Sequence, residues 1–178
     1  AGMSVIALVP IAQADPQAVE ALLDRAFGAD RRQRTAYRVR AGTRAIPELS
    51  FAALRDDGAL AGTIQCWPVA LACEAGDSVP LVMVGPVAVE PRWQREGVGR
   101  ALMERMLVAA APGGVEGSDA LTMIGDPEYY GRFFGFTAER TGAWRLPGAF
   151  EPHRLLARGP GVPDCAGMLG PRALQAAA

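Results

Sequence analysis

Apolar residues recur along this chain with two spacings, and the switch between them marks out its elements. Ile6, Leu8 and, after a break, Ile11 read as a first strand, which ends where Asp15 and Pro16 announce a helix. Val19, Leu22, Leu23, Ala26 and Phe27 then fall at i, i+3, i+4, i+7 and i+8, one continuous helical face, with Gly28 placed to stop it. Residues 29–44 are rich in arginine and only weakly periodic, consistent with a second helix. Leu49, Phe51 and Ala53 alternate with Ser50, Ala52 and Leu54. Asp56-Asp57-Gly58 supplies turn chemistry before a second run over residues 60–71, so the pair reads as a β-hairpin.

A third run, residues 80–89, is rich in valine and carries an interior Gly85-Pro86 pair. Proline cannot donate to a ladder, so this strand is expected to kink or splay there. Past Pro91 comes a polar, glycine-bearing loop. Val98, Leu102, Met106 and Ala109 then recur at helical spacing, with Arg100 and Glu104 as an outward i, i+4 pair. Residues 121–124 read as a short buried strand, 127–134 as a short helix, and 143–146 and 154–157 as short strands. Residues 159–178 are rich in Pro, Gly and Ala and are expected to form a loosely ordered tail. The order predicts an α+β fold of a mixed, mostly antiparallel sheet with helices on it, in a single domain over residues 1–178, since neither a repeat nor a linker is visible.

Composition narrows the function classes. Half of the 178 residues are hydrophobic, but Pro10, Pro16, Arg55, Pro68 and Glu74 interrupt every long apolar stretch, so no membrane span is expected. Ala1-Gly2-Met3 reads as a cloning remnant, no leader pattern follows it, and the reading is a cytoplasmic protein. A net charge of −1 gives no basic footprint for nucleic acid. All 18 basic residues are arginine and there is no lysine, which excludes a catalytic lysine amine. Cys66, Cys73 and Cys165 fit neither a disulfide framework nor a metal site, and are expected as buried thiols.

The candidate chemistry lies at residues 84–102, a strand, a glycine-bearing loop and the first turn of an amphipathic helix. A helix N-terminus offers unpaired N–H groups and partial positive charge, so a loop entering one makes an anion site. A P-loop would need Lys and then Ser or Thr after the second glycine, where this chain has Arg100-Ala101. A dinucleotide fingerprint would need a third glycine where this chain has Leu102.

Gln94-x-x-Gly97-x-Gly99, preceded by Val87-Ala88-Val89 and Pro91, resembles the acyl-CoA signature of the GNAT superfamily of N-acetyltransferases. Downstream, Gly125-Asp126-Pro127-Glu128-Tyr129-Tyr130-Gly131-Arg132-Phe133-Phe134-Gly135-Phe136 resembles that superfamily's second motif. The resemblance spans residues 6–157. It implies a three-layer α/β/α arrangement, its sheet splayed at the centre, and acetyl-CoA as co-substrate without a metal. The backbone of Val87, Ala88 and Val89 would pair with the pantetheine arm. Gln94, Arg95, Glu96, Gly97, Val98, Gly99, Arg100 and Ala101 would form the pyrophosphate loop, and Phe133 would add to the cofactor wall. Tyr130 matches the tyrosine that protonates the leaving sulfur, although its spacing to Gly135 is one residue longer than usual and Tyr129 is adjacent.

Acetyl transfer also requires a neutral amine. Glu48, Glu90, Asp126 and the sole histidine, His153, are candidate bases, and ordered water is the alternative. The acceptor is expected to be an amine of a small molecule or peptide, chosen by residues 29–47, 72–80 and 141–153, with Trp67 and Trp144 as pocket or core residues. Dimerisation through edge strands is compatible with the superfamily. The rival readings are an acyl-CoA-binding sensor without turnover and an acetyltransferase acting on charged tRNA, which the acidic balance disfavours.

Overall fold

The computed structural model describes residues 5–173, so the opening Ala1-Gly2-Met3 and the end of the tail lie outside them. Its strands are β1 (Ile6–Pro10), β2 (Phe51–Arg55), β3 (Leu60–Cys73), β4 (Ser78–Val89), β5 (Leu121–Ile124), β6 (Trp144–Arg145), β7 (Leu155–Arg158) and β8 (Gly167–Pro171). Its helices are α1 (Pro16–Phe27), α2 (Thr35–Val39), α3 (Val98–Ala110) and α4 (Pro127–Phe134). The strands form one mixed sheet in the order β1-β2-β3-β4-β5-β7, with β8 pairing β3 and β6. Pairing is mostly antiparallel, as the sequence predicts. β4–β5 and β6–β8 run parallel.

Two compact units share this chain. One takes in the described residues up to Arg32, Ala45–Cys66 and Gly85–Pro112. The other takes in Gln33–Arg44, Trp67–Val84 and the described residues from Gly113 onward.

In the first unit, Asp15 caps α1 by accepting the Gln17 N–H at 3.0 Å, Pro16 opens the helix, and Gly28 ends it at φ 94°. Val19, Leu22 and Leu23 bury against Ala52 of β2 and Ala88 of β4. The neighbouring Val87 and Val89 point the other way, toward Gly99 of α3. Helices therefore cover both faces of this part of the sheet. Gly62 of β3 makes the approach of α3 possible. A Cβ there would lie 2.8 Å from the Ala88 carbonyl and from Val98 Cγ1, and 3.1 Å from Leu102 Cδ1. Leu49, expected to start the hairpin, instead closes a 3-10 turn at Pro47–Leu49.

In the second unit, Val69, Leu71, Leu81, Trp144, Leu155 and Leu169 centre the core. The parallel register of β4 and β5 covers Val82↔Leu121 and Met83↔Thr122 and stops before Gly85, whose bond to Pro86 is cis.

Two expectations are corrected here. The segment read as a loose tail carries β8, which runs antiparallel to β3 from Val69↔Pro171 to Cys73↔Gly167. Cys73 and Cys165 are not free thiols but a disulfide. Only Cys66 among the described residues stays free, buried on β3, and desolvation pushes its thiol far above the ordinary value.

Candidate active site

The glycine loop is built from a turn and two left-handed residues. The 3-10 turn Pro91–Trp93 follows β4, and Gln94 leaves it extended at φ −62°, ψ 150°. Arg95 then adopts φ 73°. A non-glycine residue accepts this at a cost of roughly 1 kcal/mol, so surrounding contacts must hold it there. Gly97 caps α3, also left-handed, at φ 81°, and no side chain supplies a cap hydrogen bond. Helices α1 and α4 differ, since Asp15 caps α1 and Asp126 caps α4.

The first bond of this helix is Ala101 N–H to the Gly97 carbonyl at 3.0 Å, and the amides of Val98 and Gly99 precede it. The two glycines serve different ends. At Gly97 a Cβ would meet nothing within 4 Å, so the backbone angle is what requires glycine. At Gly99 a Cβ would sit 3.4 Å from Val89 Cγ2, an ordinary van der Waals contact, so the seat of α3 on β4 tolerates a methyl group there but leaves little room for a larger side chain.

The segment is anchored at both ends. Glu90, 7% exposed, closes β4 by taking two donors of Arg25 from α1 onto Oε2, Nη2 at 2.7 Å and Nε at 3.2 Å. Glu96 accepts from Arg55 Nη1 at 3.2 Å, and the Arg55 guanidinium lies 3.8 Å from the Trp93 ring centroid. Arg100 pairs with Glu104, Nε to Oε1 at 3.1 Å, the outward pair that the sequence predicts. The loop therefore offers a helix N-terminus without a side-chain cap and exposed guanidinium groups, a setting suited to a phosphate-bearing ligand.

Tyr130 belongs to the other unit. Asp126 accepts the Glu128 N–H at 3.0 Å and Pro127 opens α4. Gly135 ends it at φ 72°, and the Tyr130 carbonyl accepts both the Gly135 and Phe136 N–H groups. The Gly-Phe ending is thus a helix stop with the Phe136 side chain buried behind it.

The Tyr130 ring lies across Gly125, where a Cβ would approach ring carbons Cδ2 and Cε2 to 2.8 Å. Desolvation, and then Tyr129 and Asp126, raise the Tyr130 pKa above its ordinary value, while Arg154 works against the shift. A phenol in this environment stays protonated at neutral pH, as a proton donor must. Tyr129 instead stacks on its own helix, edge-on to Tyr130 with centroids 4.9 Å apart and 5.4 Å from Phe133. Phe133 is 45% exposed.

Of the candidate bases, Glu90 is engaged by Arg25 and Asp126 by its cap bond. His153 is exposed on the turn Pro152–Arg154, 4.0 Å from Glu151, and Glu48 is exposed. Trp144 is buried in the core of the second unit, while Trp67 stacks on Arg40 at 3.7 Å. Three residues that support the glycine loop escape sequence reasoning. Gly62 carries a readable signal, a glycine inside a strand. Arg25 and Arg55 carry none, because their partners are 65 and 41 residues away.

A family model described as an acetyltransferase (GNAT) domain matches residues 8–136. That span holds the whole glycine loop and α4 through Phe136. No curated protein matches by sequence. Among solved structures, a GNAT family N-acetyltransferase from Escherichia coli in complex with CoA is similar at a TM-score of 0.68 and 24% identity, over 97% of this chain and 91% of that one. A GNAT family acetyltransferase from Brucella melitensis in complex with acetyl-CoA is similar at a TM-score of 0.63 and 23% identity, over 96% of this chain and 97% of that one. At such identities the two structures speak for the fold, and the family model for the lineage. The chain belongs to the GNAT acetyltransferase family and is an acyltransferase.

Proposed function

We propose that this chain is an N-acetyltransferase that moves an acetyl group from acetyl-CoA to a primary amine of a small molecule or peptide, by direct attack in a ternary complex in the cytoplasm. The observation that carries the reading is the loop of residues 94–101. Two left-handed residues, Arg95 and Gly97, lead into a long helix whose N-terminus has no side-chain cap. That arrangement suits the CoA pyrophosphate, with its charge on the amides of residues 95–101 and guanidinium contacts from Arg95 and Arg100. The two similar structures are complexes with CoA and acetyl-CoA, which agrees with it.

An alkyl amine is mostly protonated at neutral pH and first gives a proton to water or a base. Its nitrogen then attacks the thioester carbonyl, and a C–N bond forms while the oxyanion is met by backbone N–H groups near Val87. One such donor is worth roughly 3 kcal/mol in related chemistry. The nitrogen of the intermediate gives up a second proton to solvent, and collapse breaks the C–S bond to leave the neutral amide. The departing thiolate takes the Tyr130 proton, and the phenolate is reprotonated from solvent.

Calorimetric titration with acetyl-CoA and free CoA tests the reading, with wild type set against a folded variant carrying bulky residues at Gly97 and Gly99. Binding by wild type that the variant loses is expected, and turnover on an amine panel completes the case. CoA binding with no turnover on any amine would favour a sensor, and no binding at all would overturn the assignment of the loop.

A further inference from the structure

We infer that Arg55 is a positioning residue for the pyrophosphate loop, a clamp that holds the bend at Gln94-Arg95 in its binding shape before CoA arrives. The inference rests on the cofactor reading above. Arg55 ends β2, outside both motif segments. Its backbone is fixed by the hairpin turn, with its N–H donating to the Ala59 carbonyl and its carbonyl accepting from Gly58, both at 2.8 Å.

The side chain is only 14% exposed and touches both flanks of the bend. Its guanidinium stacks at 3.8 Å on Trp93, the residue before Gln94, and reaches Glu96, the residue after Arg95, at 3.2 Å. Between these two anchors lie the extended Gln94 and the left-handed Arg95, the least favourable backbone of the loop. A planar guanidinium can stack and donate at once, which a lysine ammonium cannot reproduce. A loop fixed before binding loses less conformational freedom on binding, so the clamp shows up as affinity for the part of the ligand that the loop holds.

The test compares free CoA with acetyl-pantetheine, which has the thioester arm but lacks the pyrophosphate, on wild type, Arg55→Ala, Arg55→Lys and Glu96→Gln. Arg55→Ala is expected to weaken CoA binding about tenfold, a change of about 1.4 kcal/mol. Its affinity for acetyl-pantetheine is expected to stay within about twofold of wild type, with part of the CoA loss recovered in Arg55→Lys. Equal CoA affinity in wild type and Arg55→Ala overturns the clamp, as does an equal loss of both ligands in a folded variant, which would mark Arg55 as general packing. If Arg55→Ala does not fold, Glu96→Gln carries the test, with a several-fold loss for CoA alone expected and no loss overturning the proposal. Failure of wild type itself to bind CoA would overturn the cofactor reading instead.

Discussion

At the scale of single residues, Tyr130 and the glycine beneath its ring set the sharpest expectations. Tyr130→Phe removes the hydroxyl proposed as the proton donor and leaves the loop of residues 94–101 unaltered in sequence. It should keep acetyl-CoA affinity and lower turnover at least about tenfold, measured at saturating co-substrate. An unchanged rate would exclude the acid role. The pH dependence follows from the sign of the shift. As the proposed acid the group must act protonated, and its pKa is raised, chiefly by desolvation, so the alkaline loss of activity is expected above the ordinary tyrosine value of about 10. The preference of the fold for the neutral phenol likewise stabilises the protein below that range and fades as pH rises through it. Gly125→Ala puts a methyl group 2.8 Å from the ring and forces it to move. It should lower turnover roughly ten- to a hundredfold without weakening CoA binding. Combined with Tyr130→Phe it should cost little more, because both changes act through one hydroxyl.

At the scale of elements, Gly62 tests how tightly α3 seats on the sheet. Ala at this position must displace the Ala88 carbonyl, Val98 or Leu102. About 1–3 kcal/mol of destabilisation is expected, read as a lower denaturation midpoint at unchanged slope. An unshifted midpoint would mean that the helix adjusts freely. Elements whose causes are local were legible in the sequence. Asp15, Pro16 and Gly28 frame α1, and Asp126, Pro127 and Gly135 frame α4, each acting within a turn of the chain. β8 was not legible, because its cause is distant. Its glycines read as looseness, yet Gly167 lies where a Cβ would come 2.5 Å from the Ala72 carbonyl, so glycine is what lets the strand join β3. The glycine-bearing loop entering α3 was legible as a helix entry, and its proposed role toward phosphate rested on the motif resemblance rather than on its glycines alone. The left-handed Arg95 and the Arg55 clamp depend on side chains meeting across long sequence separations.

At the scale of the whole chain, the disulfide sets the last expectation. Cys73 ends β3 and Cys165 precedes β8, 92 residues apart, so the bond closes a long loop that takes in β4, α3, β5, α4, β6 and β7. Closing a loop of that length restricts the unfolded chain, and loss of the bond is expected to cost about 2–4 kcal/mol. Cys73→Ser, or a thiol reductant, should therefore lower the melting temperature, while the antiparallel ladder between Val69 and Pro171 keeps β8 in place by its backbone bonds. A thiol titration of the denatured chain, prepared in air without reductant, should find one thiol, that of buried Cys66. Three thiols would show that the bond does not form. The same count bears on compartment, because a reducing cytoplasm keeps such pairs as thiols and an oxidising space joins them. Alkylating the thiols in intact cells before lysis separates the cases. Capture of Cys73 and Cys165 would match the cytoplasmic reading, with the bond forming only on exposure to air. Their protection would place the working enzyme in an oxidising space, where acetyl-CoA would have to be supplied to it.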